Sequence, residues 1–169
     1  INENPEYFSQ FETSIRELLG DLYNTLDDYI ERVRKGNLYK SFLLSDRETI
    51  VAILVYEKAI TGRYKPQGVE NSLGIKSCFV IHPEKNSCKG YGTELIRKIT
   101  AVAKEKGVTG IHLTVSEEAP EAKAFFVSRG FKVVHAFDDL YKENLRGILS
   151  HRELALLCVY KEICEDPAQ

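Results

Sequence analysis

Ser87-Cys88-Lys89-Gly90-Tyr91-Gly92-Thr93 is the stretch whose reading decides the fold. The apolar run Cys78 to His82 ahead of it reads as a strand. Behind it, Leu95, Ile96, Ile99, Val102 and Ala103 recur at helical spacing, which predicts a helix from Gly92 to about Lys106. A strand, a glycine-bearing loop and a helix N-terminus gather backbone N–H groups, and the helix dipole favours negative charge there. That is a site for phosphate. Glycine at 90 and 92 lets the backbone come closer to a ligand than a Cβ allows. The same loop excludes two common nucleotide motifs. A dinucleotide fingerprint needs a third glycine at 95, where the chain has Leu95. A Walker loop needs Gly-Lys-Ser/Thr, and Gly92 is followed by Thr93-Glu94.

Working outward, Gly107 ends that helix, and Ile111 to Val115 reads as the next strand. Pro120 stands near the start of a short helix, and Glu117, Glu118 and Glu121 suit its positive end. Gly130 is placed to cap it, and Phe131 to His135 follows as a strand. The last strand spans Glu153 to Glu162. In the N-terminal third, Phe8, Phe11, Ile15, Leu18, Leu19, Leu22, Leu26, Ile30 and Val33 keep a helical stripe from about Pro5 to Arg34. Gly20-Asp21 divides it into two helices. Tyr39 to Leu44 and Thr49 to Lys58 read as strands joined at Asp46-Arg47. The Thr49 strand is almost unbroken in its apolar character and belongs inside a sheet, covered on both faces.

The chain has 169 residues, 43% of them hydrophobic, which suits one domain over 1–169. A net charge of −2 lacks the basic excess of a general nucleic-acid binder. No apolar run approaches the roughly 20 residues that cross a bilayer. The polar start, Ile1-Asn2-Glu3-Asn4-Pro5, shows no signal peptide. The four cysteines, Cys78, Cys88, Cys158 and Cys164, form no Cys-x-x-Cys pair, and no histidine is spaced for zinc. The expectation is a cytoplasmic protein, monomer or homodimer, with reduced thiols and no metal, nucleic-acid partner or membrane.

The run Ile81-His82-Pro83-Glu84, Gly90-Tyr91-Gly92-Thr93-Glu94-Leu95, then Ala122-Lys123-Ala124-Phe125-Phe126-Val127-Ser128-Arg129-Gly130-Phe131, resembles the GNAT superfamily of acyl-CoA N-acyltransferases. The residues up to Leu95 are similar to the family's pyrophosphate motif, Arg/Gln-x-x-Gly-x-Gly/Ala. Those from Ala122 to Phe131 are similar to its Asn-x-x-Ala-x-x-Phe-Tyr-x-x-x-Gly-Phe motif. The strong resemblance covers about Leu73 to His135. It implies the GNAT fold, of α/β (α+β) class: a central, mixed, mostly antiparallel sheet of six to seven strands, with splayed fourth and fifth strands and helices on both faces. Three positions depart from the pattern. Ser87 replaces the Arg/Gln, Ala119 the Asn, and Phe126 the Tyr. In many members that tyrosine is the proposed general acid, and phenylalanine has no proton to give.

The resemblance implies acetyl-CoA as co-substrate. Its diphosphate would sit on the N–H groups of Ser87, Cys88, Lys89, Gly90, Tyr91, Gly92 and Thr93. Phe79, Val80 and Ile81 would pair with the pantetheine and supply the oxyanion donor. Phe125 and Phe126 would pack near the thioester arm. An amine attacks only when neutral, so a base is needed. His112 shares a strand face with Thr114 and Ser116 and is one candidate. The histidine of some N-terminal acetyltransferases matches Thr114, one side-chain step away. Tyr141 could supply the hydroxyl that Phe126 lacks. Two readings follow. One is an N-acetyltransferase acting on an amine-bearing small molecule, peptide or protein. The other is a catalytically degenerate acyl-CoA-binding sensor or interaction module.

Overall fold

Asn4 begins the first helix by accepting hydrogen bonds at Oδ1 from the N–H groups of Glu6 and Tyr7, at 3.0 and 3.1 Å. The computed structural model describes residues 3–19, 26–58, 71–116, 120–136 and 156–162. Helix α1 (Pro5–Leu19) and helix α2 (Leu26–Lys35) carry the predicted apolar stripe. Arg16 joins them through a 2.7 Å ion pair with Asp27. Strands β1 (Tyr39–Asp46) and β2 (Thr49–Glu57) follow as a hairpin, with Asp46 opposite Thr49. Its two turn residues, Arg47 and Glu48, both take positive φ, 51° and 74°, the geometry that matches the twist of a two-residue hairpin.

After β3 (Ser72–Val80) comes a single turn of helix, α3 (Pro83–Asn86), which the sequence pattern did not announce. Helix α4 (Tyr91–Glu105) starts one residue before the expected Gly92. Strand β4 (Gly110–Ser116), helix α5 (Pro120–Ser128), strand β5 (Lys132–Ala136) and strand β6 (Leu156–Glu162) complete the described elements. The connection 59–70, with Arg63, Tyr64, Lys65 and Pro66, lies outside the described residues, as does the segment 137–155 with Tyr141.

The strands form one sheet in the order β1-β2-β3-β4-β6-β5. Among the described residues only the β3–β4 pair is parallel. Strand β2 is buried from Ile50 to Tyr56 and separates two cores. Ala52, Leu54 and Tyr56 meet Leu95, Ile96, Ile99 and Ala103 of α4 on one face. Ile53 and Val55 meet Phe11, Ile15, Tyr29, Ile30 and Val33 of α1 and α2 on the other. A strand covered on both sides by helices has no place for polar side chains, which is why its apolar run shows no alternation.

The sheet opens at one place. Strands β3 and β4 pair only through Ser72–Gly110, Leu73–Ile111 and Gly74–His112. Beyond Gly74, β3 keeps β2 as its partner while β4 keeps β6. A bulge on β3 coincides with the parting: Val55 faces Ser77 but Tyr56 faces Ile75, which leaves Lys76 as the extra residue. A bulge bends its strand and adds local twist. The result is a fork, closed at Gly74 and His112 and open toward Val80.

Candidate active site

The loop lies at the open end of the fork. His82 (φ 49°), Cys88 (φ 61°) and Gly90 (φ 80°) take left-handed backbone, which folds residues 82–90 into a tight return. Ser87 closes α3 by donating its N–H to Pro83 O at 3.0 Å. Gly90 is the N-cap of α4, and Glu94 N–H, bonded to Gly90 O at 3.0 Å, is the first donor of that helix's ladder. The N–H groups of Tyr91, Gly92 and Thr93 precede the ladder and point out of the helix end. Three backbone donors at the positive end of a 15-residue helix favour an anion.

The two glycines serve different needs. A Cβ on Gly90 would meet nothing within 4 Å, so the residue is required by its positive φ. A Cβ on Gly92 would stand 2.8 Å from Phe125 Cζ. The ring of Phe125 is thus a reason for glycine at 92 that the sequence did not show. Arg129 stacks on that ring, its Cζ 3.8 Å from the centroid. Phe126 turns inward, 4% exposed, edge-on to Phe125 and Phe131 at 5.0 and 5.3 Å. It is a core ring with little surface to offer the thioester arm.

Strand β3 divides its backbone between two sides. Ile81 donates its N–H to Val51 O at 2.8 Å, and its carbonyl accepts from Asn86 Nδ2 at 2.6 Å. The Ile81 N–H is therefore engaged by β2 and is not a donor for a cofactor, contrary to its expected role. Antiparallel pairing alternates, so Phe79 also points its backbone at β2, opposite Ile53. Val80 and Cys78 point theirs into the fork. Of the three residues expected to meet the pantetheine, Val80 alone turns its backbone into the fork, and Cys78 does so beside it. Burial pushes the Cys78 thiol up to about 12, so it stays protonated at neutral pH.

The closed end holds a polar cluster on the face that carries α1 and α2. His112 Nδ1 lies 2.8 Å from Oγ of Ser72, which is fully buried. Glu57 Oε2 and His112 Nε2 stand 2.8 and 3.1 Å from the point a Cβ on Gly74 would occupy. Both reach over the same glycine. Lys76 Nζ closes the group, 3.3 Å from Glu57 Oε1. Tyr29 of α2 meets Ser77 alongside, hydroxyl to hydroxyl, at 2.7 Å. Of this cluster the sequence singled out only His112. One signal for Glu57 was present: it is the first acid after the apolar run of β2, on the alternation of Ile53 and Val55.

The closed and open ends are joined by six residue-to-residue steps of β3, from Gly74 to Val80, which span roughly 20 Å. An elongated ligand anchored by its anionic end on α4 can lie along β3 and present its other end to His112 and Glu57. No helix of the described residues is long and apolar enough to cross a membrane. Among them no group of three or more His, Cys, Asp or Glu is arranged to hold a metal.

Residues 13–151 match a family described as an acetyltransferase (GNAT) domain. No curated protein sequence matches the chain. Solved structures resemble its fold at low identity. NAA60 of Arabidopsis thaliana, in complex with a bisubstrate analogue, has 14% identity and a TM-score of 0.75, covering 96% of both chains. An aminoglycoside 6'-N-acetyltransferase complexed with coenzyme A has 14% identity and a TM-score of 0.68, covering 98% of this chain and 95% of that one. A putative streptothricin acetyltransferase from Bacillus anthracis, in complex with acetyl coenzyme A, has 19% identity and a TM-score of 0.59. There the match covers 75% of this chain, which spans 64% of that one.

Proposed function

This chain belongs to the GNAT acetyltransferase family, and from that premise we propose that it transfers an acetyl group from acetyl-CoA to the amine of a small molecule, peptide or protein. The fork carries this reading: β3 leaves β4 at Gly74–His112, one cofactor arm away from the exposed N–H groups of α4. The residues present suit coenzyme A. The helix end of Tyr91, Gly92 and Thr93 receives the diphosphate, with Ser87, Cys88, Lys89 and Gly90 forming the approach. Cys78 and Val80 offer backbone groups to the amide-bearing arm. Acetyl-CoA supplies the activated thioester, and the chain supplies position and proton handling.

Lys76, left without an opposite residue in the β2–β3 register, stands at the head of the fork, and its N–H is the donor assigned to an oxyanion. His112 accepts the amine proton through Nε2, with Nδ1 oriented by Ser72. Glu57 lies beside Nε2 and stabilises the imidazolium that forms. Tyr141 remains the further candidate for side-chain work. The compartment proposed is the cytoplasm.

One observation favours the alternative, a coenzyme A binder without turnover. Phe126 is buried among rings and brings no hydroxyl to the fork. Both readings are tested together by incubating the chain with acetyl-CoA and a broad panel of amines and peptides. Free-thiol release that saturates with one acceptor class establishes the transferase. Saturable acetyl-CoA binding with no release on any acceptor leaves the binder. No binding ends both.

A further inference from the structure

Arg129 follows α5, beside the first turn of α4, and is held by a dense set of contacts. Its Nε and Nη2 donate to Thr93 Oγ1 at 3.1 and 2.7 Å. Its Nη1 donates to Ser128 Oγ at 2.7 Å and to Phe125 O at 3.2 Å. The Phe125 ring supports the guanidinium from below. A guanidinium has five N–H donors, and these contacts leave one, on Nη2. Thr93 Oγ1 accepts twice from Arg129, so its own hydrogen is left to donate. Among the described residues no carboxylate is within ion-pair reach of Arg129. Glu94, the acid of that turn, is paired with Arg97 at 2.6 Å. The cation suits the C-terminal end of α5, where it donates to Phe125 O, whereas the positive end of α4 beside it is unfavourable for a cation by itself. An anion bound there reverses the sign of the arrangement.

We propose that Arg129, set by Thr93 and Phe125, is the side-chain cation that grips a phosphoryl group of coenzyme A in this protein. The inference rests on the cofactor reading above and adds the residue that makes it selective for the phosphorylated carrier. The phosphoryl group is either one of the diphosphate or the ribose 3'-phosphate, and both are anionic oxygen clusters that a planar guanidinium matches.

The test is calorimetry on the whole chain with three probes: coenzyme A, 3'-dephospho-coenzyme A, and acetyl-pantetheine, which has no phosphate. For Arg129→Gln, coenzyme A binding is expected to weaken tenfold or more while acetyl-pantetheine binding is unchanged. Arg129→Lys, which keeps the charge, is expected to recover part of the loss. Equal loss for both coenzymes assigns the contact to the diphosphate. A loss confined to coenzyme A assigns it to the 3'-phosphate. Equal coenzyme A affinity of wild type and Arg129→Gln overturns the inference and leaves the cofactor reading intact. Absence of wild-type binding overturns the cofactor reading itself. A measurement without substitution guards against misfolding. Phenylglyoxal labelling of wild-type Arg129 is expected to be blocked by coenzyme A and not by acetyl-pantetheine. Labelling that coenzyme A does not slow overturns the inference as well.

Discussion

Replacing Gly92 by alanine should destabilise this protein, although alanine is the better helix former. A Cβ there stands 2.8 and 2.9 Å from Phe125 Cζ and Cε2, against a carbon–carbon optimum of about 3.5–4.0 Å. The ring must retreat by most of an ångström. It is backed by the Arg129 guanidinium at 3.8 Å and edged by the buried Phe126 at 5.0 Å. Overpacking of this kind costs about 1–3 kcal/mol. Alanine's helical preference returns at most about 1 kcal/mol. With that gain in full, the expected net loss is about 0–2 kcal/mol. Removing the obstacle changes the sign: in a Phe125→Ala background, Gly92→Ala should stabilise by up to about 1 kcal/mol. Urea denaturation of the four proteins measures the cycle, with an expected coupling of about 1–3 kcal/mol. Gly90→Ala is the control. With φ 80° and open space around it, it should cost about 1 kcal/mol from backbone strain, with or without Phe125. A Gly92→Ala effect that is the same with and without the Phe125 ring would refute the packing argument.

Gly74→Ala places a methyl 2.8 Å from the Glu57 carboxylate and 3.1 Å from His112 Nε2; thiol release should fall tenfold or more with acetyl-CoA affinity unchanged, and a loss under twofold would detach the fork from the chemistry. His112→Ala should likewise suppress turnover and spare binding, read by the same pair of assays. Because burial raises the Cys78 thiol from 9.0 to about 12, its contribution to stability is full below pH 9 and is lost as pH rises toward 12; the alkaline slope of the unfolding free energy should flatten in Cys78→Ala. Leu54→Ala, at a fully buried position in the central strand, should cost about 2–5 kcal/mol in the same denaturation experiment, and a cost under 1 kcal/mol would contradict its place in the core.

Periodicity was enough to find the helix Leu95–Ala103 and the doubly covered strand Ile50–Val55, because both patterns are local. The loop at Ser87–Thr93 was legible for the same reason: two glycines and a helix start define its donors within seven residues. Individual roles were less so. Ile81 was expected to serve the cofactor, yet its N–H is taken by Val51. Which edge a strand residue faces depends on register, and a shift of one residue reverses it. The one-turn helix Pro83–Asn86 is too short to leave a periodic signal.

Local order along the chain, then, was set by the amino-acid sequence alone: the longer elements, the phosphate-type loop, and the two motifs that mark the family. The meeting of distant residues was decided by tertiary structure. Glu57, Ser72 and His112 come from three strands and converge only because β3 pairs with β4 for three residues and then leaves. Arg129 reaches Thr93 across 36 positions only because α5 packs against the start of α4. Propensity and capping act over one or two turns of chain, whereas register, bulge and helix docking are fixed by packing the whole core. The chemistry of this protein depends on that packing.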